Sequence, residues 1–179
     1  GMEIEVFVTL PRGSNGKNLP MIINPHGGPF GPYDEWGFNP EIQLLANRGY
    51  AVMQVNFRGS GNYGESFMEA GYEQWGKAMQ DDLTDATRWA IQQGIADPER
   101  ICMYGASYGA YASLMGAAKE PNLYTCVAGN VGTYDLVLQL SYLTKGGGME
   151  NASKSFFSDV AQENVESVSP ARLAGNIKV

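Results

Sequence analysis

Short apolar runs alternate with longer amphipathic ones along this chain, and the alternation predicts its fold. Residues 3–10 alternate apolar and polar side chains, as a half-exposed edge strand does. Leu19-Pro20-Met21-Ile22-Ile23-Asn24 and then Ala51-Val52-Met53-Gln54-Val55 predict two further strands. Between them Asn39-Pro40-Glu41 sets a capping side chain before a proline, which opens a helix that Gly49 closes. Asp81 and Asp82 begin a second helix, with Leu83, Ala86, Ala90 and Ile91 on one face and Gly94 at its end. Asp97-Pro98-Glu99-Arg100 predicts a turn into a strand at 101–104, and 111–118 predicts the helix that follows. Residues 126–128 are apolar again, and Asn176-Ile177-Lys178-Val179 reads as the start of one more sheet strand. This order implies an α/β domain, a mostly parallel sheet with helices on both faces. Around Gly146-Gly147-Gly148, residues 141–169 have weak periodicity. That stretch reads either as an insertion walling a pocket or as a flexible segment.

The chemistry enters between the strand at 101–104 and its helix, at Gly105-Ala106-Ser107-Tyr108-Gly109. Strand, G-x-S-x-G, helix is the setting of a nucleophile elbow. The two glycines are needed because a Cβ in so tight a turn would strike neighbouring backbone. The turn presents the serine hydroxyl at a helix N-terminus, where free N–H groups favour an anionic intermediate. A chain with 23 glycines can produce the five letters by chance, so the flanking strand and helix carry the reading.

A second motif supports it. His26-Gly27-Gly28-Pro29 follows the strand at 19–24. A glycine pair there lets backbone approach a ligand oxygen, and one glycine N–H can join the N–H of the residue after the serine, Tyr108, in an oxyanion hole. The loss of one such donor costs about 3 kcal/mol of barrier.

With these motifs and Asn56-Phe57-Arg58-Gly59-Ser60, the chain resembles the catalytic domain of prolyl oligopeptidase-family serine peptidases, most of all their acylaminoacyl-peptidase and dipeptidyl-peptidase branch. The resemblance covers nearly the whole chain. It implies an α/β-hydrolase fold, Ser107 as nucleophile, and Gly28 and Tyr108 as backbone oxyanion donors. It also implies peptide or acyl-peptide substrates and an acyl-enzyme on Ser107. Ala110 departs from the family's usual glycine, a small-for-small change. The larger departure is the triad. Its order in this fold is Ser, then Asp or Glu, then His. The one histidine, His26, precedes the serine, so it is read as orienting the oxyanion loop through its ring and not as the general base. The family's Asp and His lie beyond position 179, so the fold is expected to lack its last strands and helices and these residues alone to be inactive. Asp135 is an alternative acid, although a capping or surface aspartate is the preferred reading.

Composition narrows the alternatives. At 179 residues, with 44% hydrophobic and 17% charged residues, the chain is one globular domain. The net charge of −7 argues against nucleic acid and anionic membranes as partners. No signal-peptide pattern opens the chain, and a cytoplasmic protein is the expectation. Gly1 before Met2 reads as a tag-cleavage scar. Cys102 and Cys126 are expected as small buried hydrophobes, with a disulfide the less favoured reading. One histidine and two scattered cysteines build no zinc site, so no metal or cofactor is expected. The glycine-rich loop at 58–64 lacks the spacing and lysine of a phosphate cradle and is expected near the active site. Phe30, Tyr33, Trp36 and Phe38 either line the site or pack beneath its loop. Two rival functions remain: a carboxylesterase of the same fold, against which Pro29 argues, and a non-catalytic association domain. A sheet edge left open would favour a homo-oligomer.

Overall fold

The computed structural model describes residues 2–145 and 165–179, with side chains described outside 143–164. The glycine triplet at the centre of the expected insertion lies outside the described residues. The elements in chain order are β1 (Glu5–Thr9), β2 (Leu19–Asn24), α1 (Pro40–Ala46), β3 (Ala51–Asn56), α2 (Glu65–Glu69), α3 (Ala78–Gln92), β4 (Ala96–Ala106), α4 (Tyr108–Lys119), β5 (Cys126–Asn130) and α5 (Leu136–Lys145). Single 3-10 turns follow at Glu166–Val168 and Ala174–Asn176.

The strands form one sheet in the order β1-β3-β2-β4-β5. Only β1, at the edge, runs antiparallel to its neighbour; the other three pairings are parallel. This is the mostly parallel sheet that the alternation implied, and it agrees with the α/β-hydrolase fold that the resemblance implied. Its two faces separate by strand parity. Met21, Ile23, Met53, Val55, Ile101 and Met103 point to one face and form the main core with Met79, Leu83 and Ala90 of α3 and Tyr111, Ala112 and Met115 of α4. Ile22 and Val52 point to the other face, where α1 covers them with Ile42. The expected capping of α1 is present: Asn39 Oδ1 accepts from the N–H groups of Glu41 and Ile42. Helix α3 starts three residues before Asp81, at Ala78. Asp82 is buried there because Arg58 reaches it through its backbone N–H, Nε and Nη2, at 2.9, 2.8 and 2.7 Å.

Three expectations need correction. Asp97-Pro98-Glu99-Arg100 lies inside β4 and is not a turn ahead of it. The turn chemistry is nonetheless present as an irregularity in the ladder. Leu19 pairs with Ala96 and Met21 with Ile101, so four residues on β4 face the single Pro20. Two prolines without N–H groups cannot sustain the ladder there, and the Asp97 side chain holds the Glu99 N–H instead. Second, Cys102 and Cys126 are not buried free thiols. They face each other in register across β4 and β5, with Cα atoms 4.7 Å apart, and form a disulfide. Cys102 points to the thinly covered α1 face and Cys126 is exposed, so no core encloses either sulfur. Disulfides persist mainly in oxidising compartments, so this pairing lends nothing to the cytoplasmic expectation. Third, 176–179 adds no strand. Ala174–Asn176 is a 3-10 turn, and Ile177 is extended without joining the sheet. Among the described residues no helix is long and apolar enough to cross a membrane.

Candidate active site

Strand β4 delivers Ser107 to the C-terminal end of the sheet, where α4 begins. The serine adopts φ 56° and ψ −119°. A non-glycine residue in this region costs about 1–3 kcal/mol and persists only where its surroundings enforce it. The enforcement is visible in the glycines. A Cβ on Gly105 would lie 2.6 Å from the Gly109 carbonyl carbon, and a Cβ on Gly109 would collide with the Pro25 carbonyl oxygen. Strand, turn and helix can therefore close up only with glycine at both places. The Ser107 N–H donates to the Asn130 carbonyl at the end of β5, 3.0 Å away, which ties the elbow to the next strand. The hydroxyl-bearing residue is exposed, while Tyr108, Gly109 and Ala110 behind it are buried. The Tyr108 ring packs edge-on to Trp75 at 4.7 Å and lies 5.3 Å from Phe57. Burial holds its phenol neutral, well above the ordinary tyrosine range. Its side chain is therefore part of the core.

The loop after β2 runs directly against this elbow. A Cβ on Gly27 would sit 3.5 Å from Ser107 Cβ and 3.4 Å from the Ala106 carbonyl oxygen. Both glycine motifs thus meet at one place, as their order in the sequence implied. Among the described residues no carbonyl accepts the N–H of Gly28 or of Tyr108. His26 lies beneath the loop. Its ring stacks on Phe57 at 4.4 Å and 19°. Nδ1 stands 2.8 Å from the Gly27 carbonyl and Nε2 stands 2.8 Å from Ser60 Oγ. Burial lowers its pKa below the usual histidine value, against the opposing effects of the Gly27 carbonyl and the Asp34 carboxylate. Both ring nitrogens thus have partners, one in its own loop and one in the loop after β3.

Asp135 sits at the start of α5. Its Oδ1 accepts the Leu138 N–H at 3.1 Å and its Oδ2 accepts from Arg172 Nε at 2.8 Å. Burial works against the charge, but the Leu138 N–H and Arg172 hold the carboxyl below the ordinary carboxylate range. These are the contacts of a cap. Beside it a cavity of about 530 Å³ opens among Thr133, Tyr134, Leu138 and Tyr142. Its edge at Gly132 abuts Ala110 of α4: a Cβ on that glycine would lie 2.7 Å from the Ala110 Cβ.

The glycine-rich loop at 58–64 lies against the loop that follows β2. The Gly31 N–H donates to the Gly59 carbonyl at 3.3 Å, and the Gly61 N–H to the Pro32 carbonyl at 3.1 Å. The four aromatics divide, with Tyr33 exposed beside Gly61, where an added Cβ would lie 3.2 Å from its ring. Phe30 packs into the core beside Tyr72. Trp36, 80% exposed, lies over Phe7 of the edge strand, and Phe38 is 83% exposed. Neither lines the cavity beside Asp135. Sequence reasoning missed Ser60 and Asp34. Ser60 was visible as part of the loop after β3. Asp34 gave no signal, because its burial depends on Gln54 and Asn56 from a neighbouring strand.

Comparison with known proteins agrees with this geometry. Residues 36–176 match the prolyl oligopeptidase family model. The chain is 40% identical over 142 residues to dipeptidyl aminopeptidase BIII of Pseudoxanthomonas mexicana, covering 75% of this chain and 20% of that protein. It is 40% identical over 117 residues to dipeptidyl peptidase family member 6 of Caenorhabditis elegans, covering 65% and 16%. It therefore spans a fifth or less of the length of these relatives. Among solved structures, an acylaminoacyl peptidase of Pyrococcus horikoshii superposes with a TM-score of 0.84 at 28% identity, over 99% of this chain and 29% of the other. With a family match over most of its length and an elbow at the expected serine, the chain belongs to the prolyl oligopeptidase family of α/β-hydrolase peptidases.

Proposed function

We propose that these residues form the nucleophile-bearing part of a serine peptidase that cleaves peptide or acyl-peptide bonds through an acyl-enzyme on Ser107. The observation that carries this is the enforced φ of 56° at Ser107 with Gly27 packed against it. In the reaction Ser107 Oγ attacks the scissile carbonyl. The N–H groups of Gly28 and Tyr108 receive the developing oxyanion. The amine leaves with a proton, and water then releases the acyl group. The cavity beside Tyr134 takes the substrate side chain preceding the scissile bond, since its Gly132 edge abuts Ala110 of α4 and it is walled by Leu138 and Tyr142.

The reading also assigns what these residues do not supply. With both nitrogens of the single histidine committed to Gly27 and Ser60, the base that activates Ser107 comes from outside the 179 residues. Asp135, committed to a helix cap and Arg172, is no part of the relay. The 179 residues alone are then expected to give little hydrolysis, although an oxyanion hole alone retains roughly 10³-fold catalysis over water. Rapid stoichiometric labelling of Ser107 in them by a fluorophosphonate would overturn this. The substrate class is tested by turnover of aminoacyl-anilides against p-nitrophenyl esters by the complete gene product. Preference for the anilide with kcat abolished in Ser107→Ala is expected. Ester-only turnover would make the protein a carboxylesterase, and no turnover of either would make the domain an association module.

A further inference from the structure

We propose that Ser60 is a positioning residue: by donating its hydroxyl proton to His26 Nε2 it fixes the imidazole tautomer that aims the Gly28 N–H at the Ser107 site. This rests on the oxyanion role proposed for Gly28.

The argument begins with one peptide plane. The Gly27 carbonyl and the Gly28 N–H are opposite ends of the same planar group. The bond is trans, so they point in opposite directions. Whatever grips the carbonyl therefore aims the N–H. The grip is His26, whose Nδ1 lies 2.8 Å from the Gly27 oxygen. A carbonyl cannot donate, so this contact is a hydrogen bond only when the proton is on Nδ1. The ring is buried and stacked on Phe57, which favours its neutral form. A neutral ring with its proton on Nδ1 carries a lone pair on Nε2, and that lone pair needs a donor.

Ser60 is the donor within reach. Its Oγ is 2.8 Å from Nε2, and the residue is fully buried, so no bulk solvent competes. The hydroxyl has a single proton and a second claimant, the Phe57 carbonyl at 2.7 Å. That carbonyl already accepts the backbone N–H of Ser60 at 3.0 Å. The hydroxyl proton can therefore turn to the histidine without orphaning the carbonyl. With that assignment every group has a partner: Ser60 N–H to Phe57, Ser60 O–H to Nε2, and Nδ1–H to Gly27. In the opposite tautomer the Nδ1 lone pair faces the Gly27 oxygen at 2.8 Å, which repels the carbonyl and releases the peptide plane. The charge facing the ring is Asp34, which favours a protonated ring but does not choose between the neutral tautomers.

The test is imidazole ¹⁵N NMR on the complete gene product labelled in histidine, with His26 assigned through its contact with the Phe57 ring. The expected wild-type spectrum shows Nδ1 protonated and Nε2 unprotonated and hydrogen-bonded. In Ser60→Ala the two nitrogen shifts should move towards each other as the tautomers mix. In the same variant kcat should fall about tenfold, the scale of one net hydrogen bond, with KM within about twofold. A proton on Nε2 in the wild type would overturn the proposal without any variant. So would unmoved His26 shifts or unmoved kcat in Ser60→Ala. The peptidase reading fails separately, if Ser107→Ala retains turnover. In that event the NMR comparison still decides whether Ser60 holds the ring.

Discussion

Substitution of Gly109 by alanine separates this structure from an ordinary helix by the sign of its effect. Gly109 lies in the first turn of α4 and is buried. In a helix with free surroundings, glycine to alanine stabilises by about 1 kcal/mol, because alanine loses less backbone freedom on folding. Here the new Cβ would collide with the Pro25 carbonyl oxygen and would also stand 3.1 Å from its carbon and 3.3 Å from the His26 oxygen. These are backbone atoms, so no rotamer change relieves the contact. Overpacking of this kind costs about 1–3 kcal/mol, and a backbone obstacle places it at the upper end. The net expectation is a loss of about 2 kcal/mol. For a domain of this size that lowers Tm by roughly 4–8 °C. The alternative to the loss is displacement of the loop that begins at Pro25 and His26. Urea titration gives the stability, and acylation kinetics in the complete gene product give the loop geometry; kcat is expected to fall. An alanine variant that is more stable than wild type by about 1 kcal/mol with kcat intact would show that the loop does not lie on the elbow.

Three further outcomes follow from particular contacts. Reduction of Cys102–Cys126, which closes a sequence separation of 24 residues, should lower stability by about 3 kcal/mol on the loop-entropy account. Equal urea midpoints with and without dithiothreitol would contradict it. His26 has a folded pKa below its unfolded value near 6.5, so the unfolded chain takes up the proton first. Its contribution to stability is complete above the unfolded pKa and is lost as pH falls through the folded one; a wild-type acid midpoint no higher than that of His26→Gln would contradict the burial. Strand β5 has a neighbour on one side only among the described residues, so the 179 residues are expected to self-associate through it at tens of micromolar. Light scattering from a clean monomer would refute that.

The elements that depend on local pattern were legible in the sequence. The edge strand at 3–10, the Asn39 cap and the strand–serine–helix unit each rest on neighbours within a few residues. What was hidden depends on pairs distant in the chain. Nothing in the segments around Cys102 and Cys126 states that β4 and β5 are adjacent and in register, yet that register makes the disulfide. The turn at 97–100 was correct in chemistry and wrong in place, because Leu19 captures Ala96 before the turn begins. Ser107 and the glycines around it could be read because a motif requires them. The proton on His26 could not be read, since it depends on a hydroxyl 34 residues away.

The central claim is that Ser107 is the nucleophile. It is tested most directly by treating the complete gene product with a fluorophosphonate and locating the adduct by peptide mass spectrometry. One adduct per chain is expected, on the peptide containing Ser107, with its formation parallel to loss of peptidase activity and absent in Ser107→Ala. Complete inactivation with Ser107 unmodified would contradict the account.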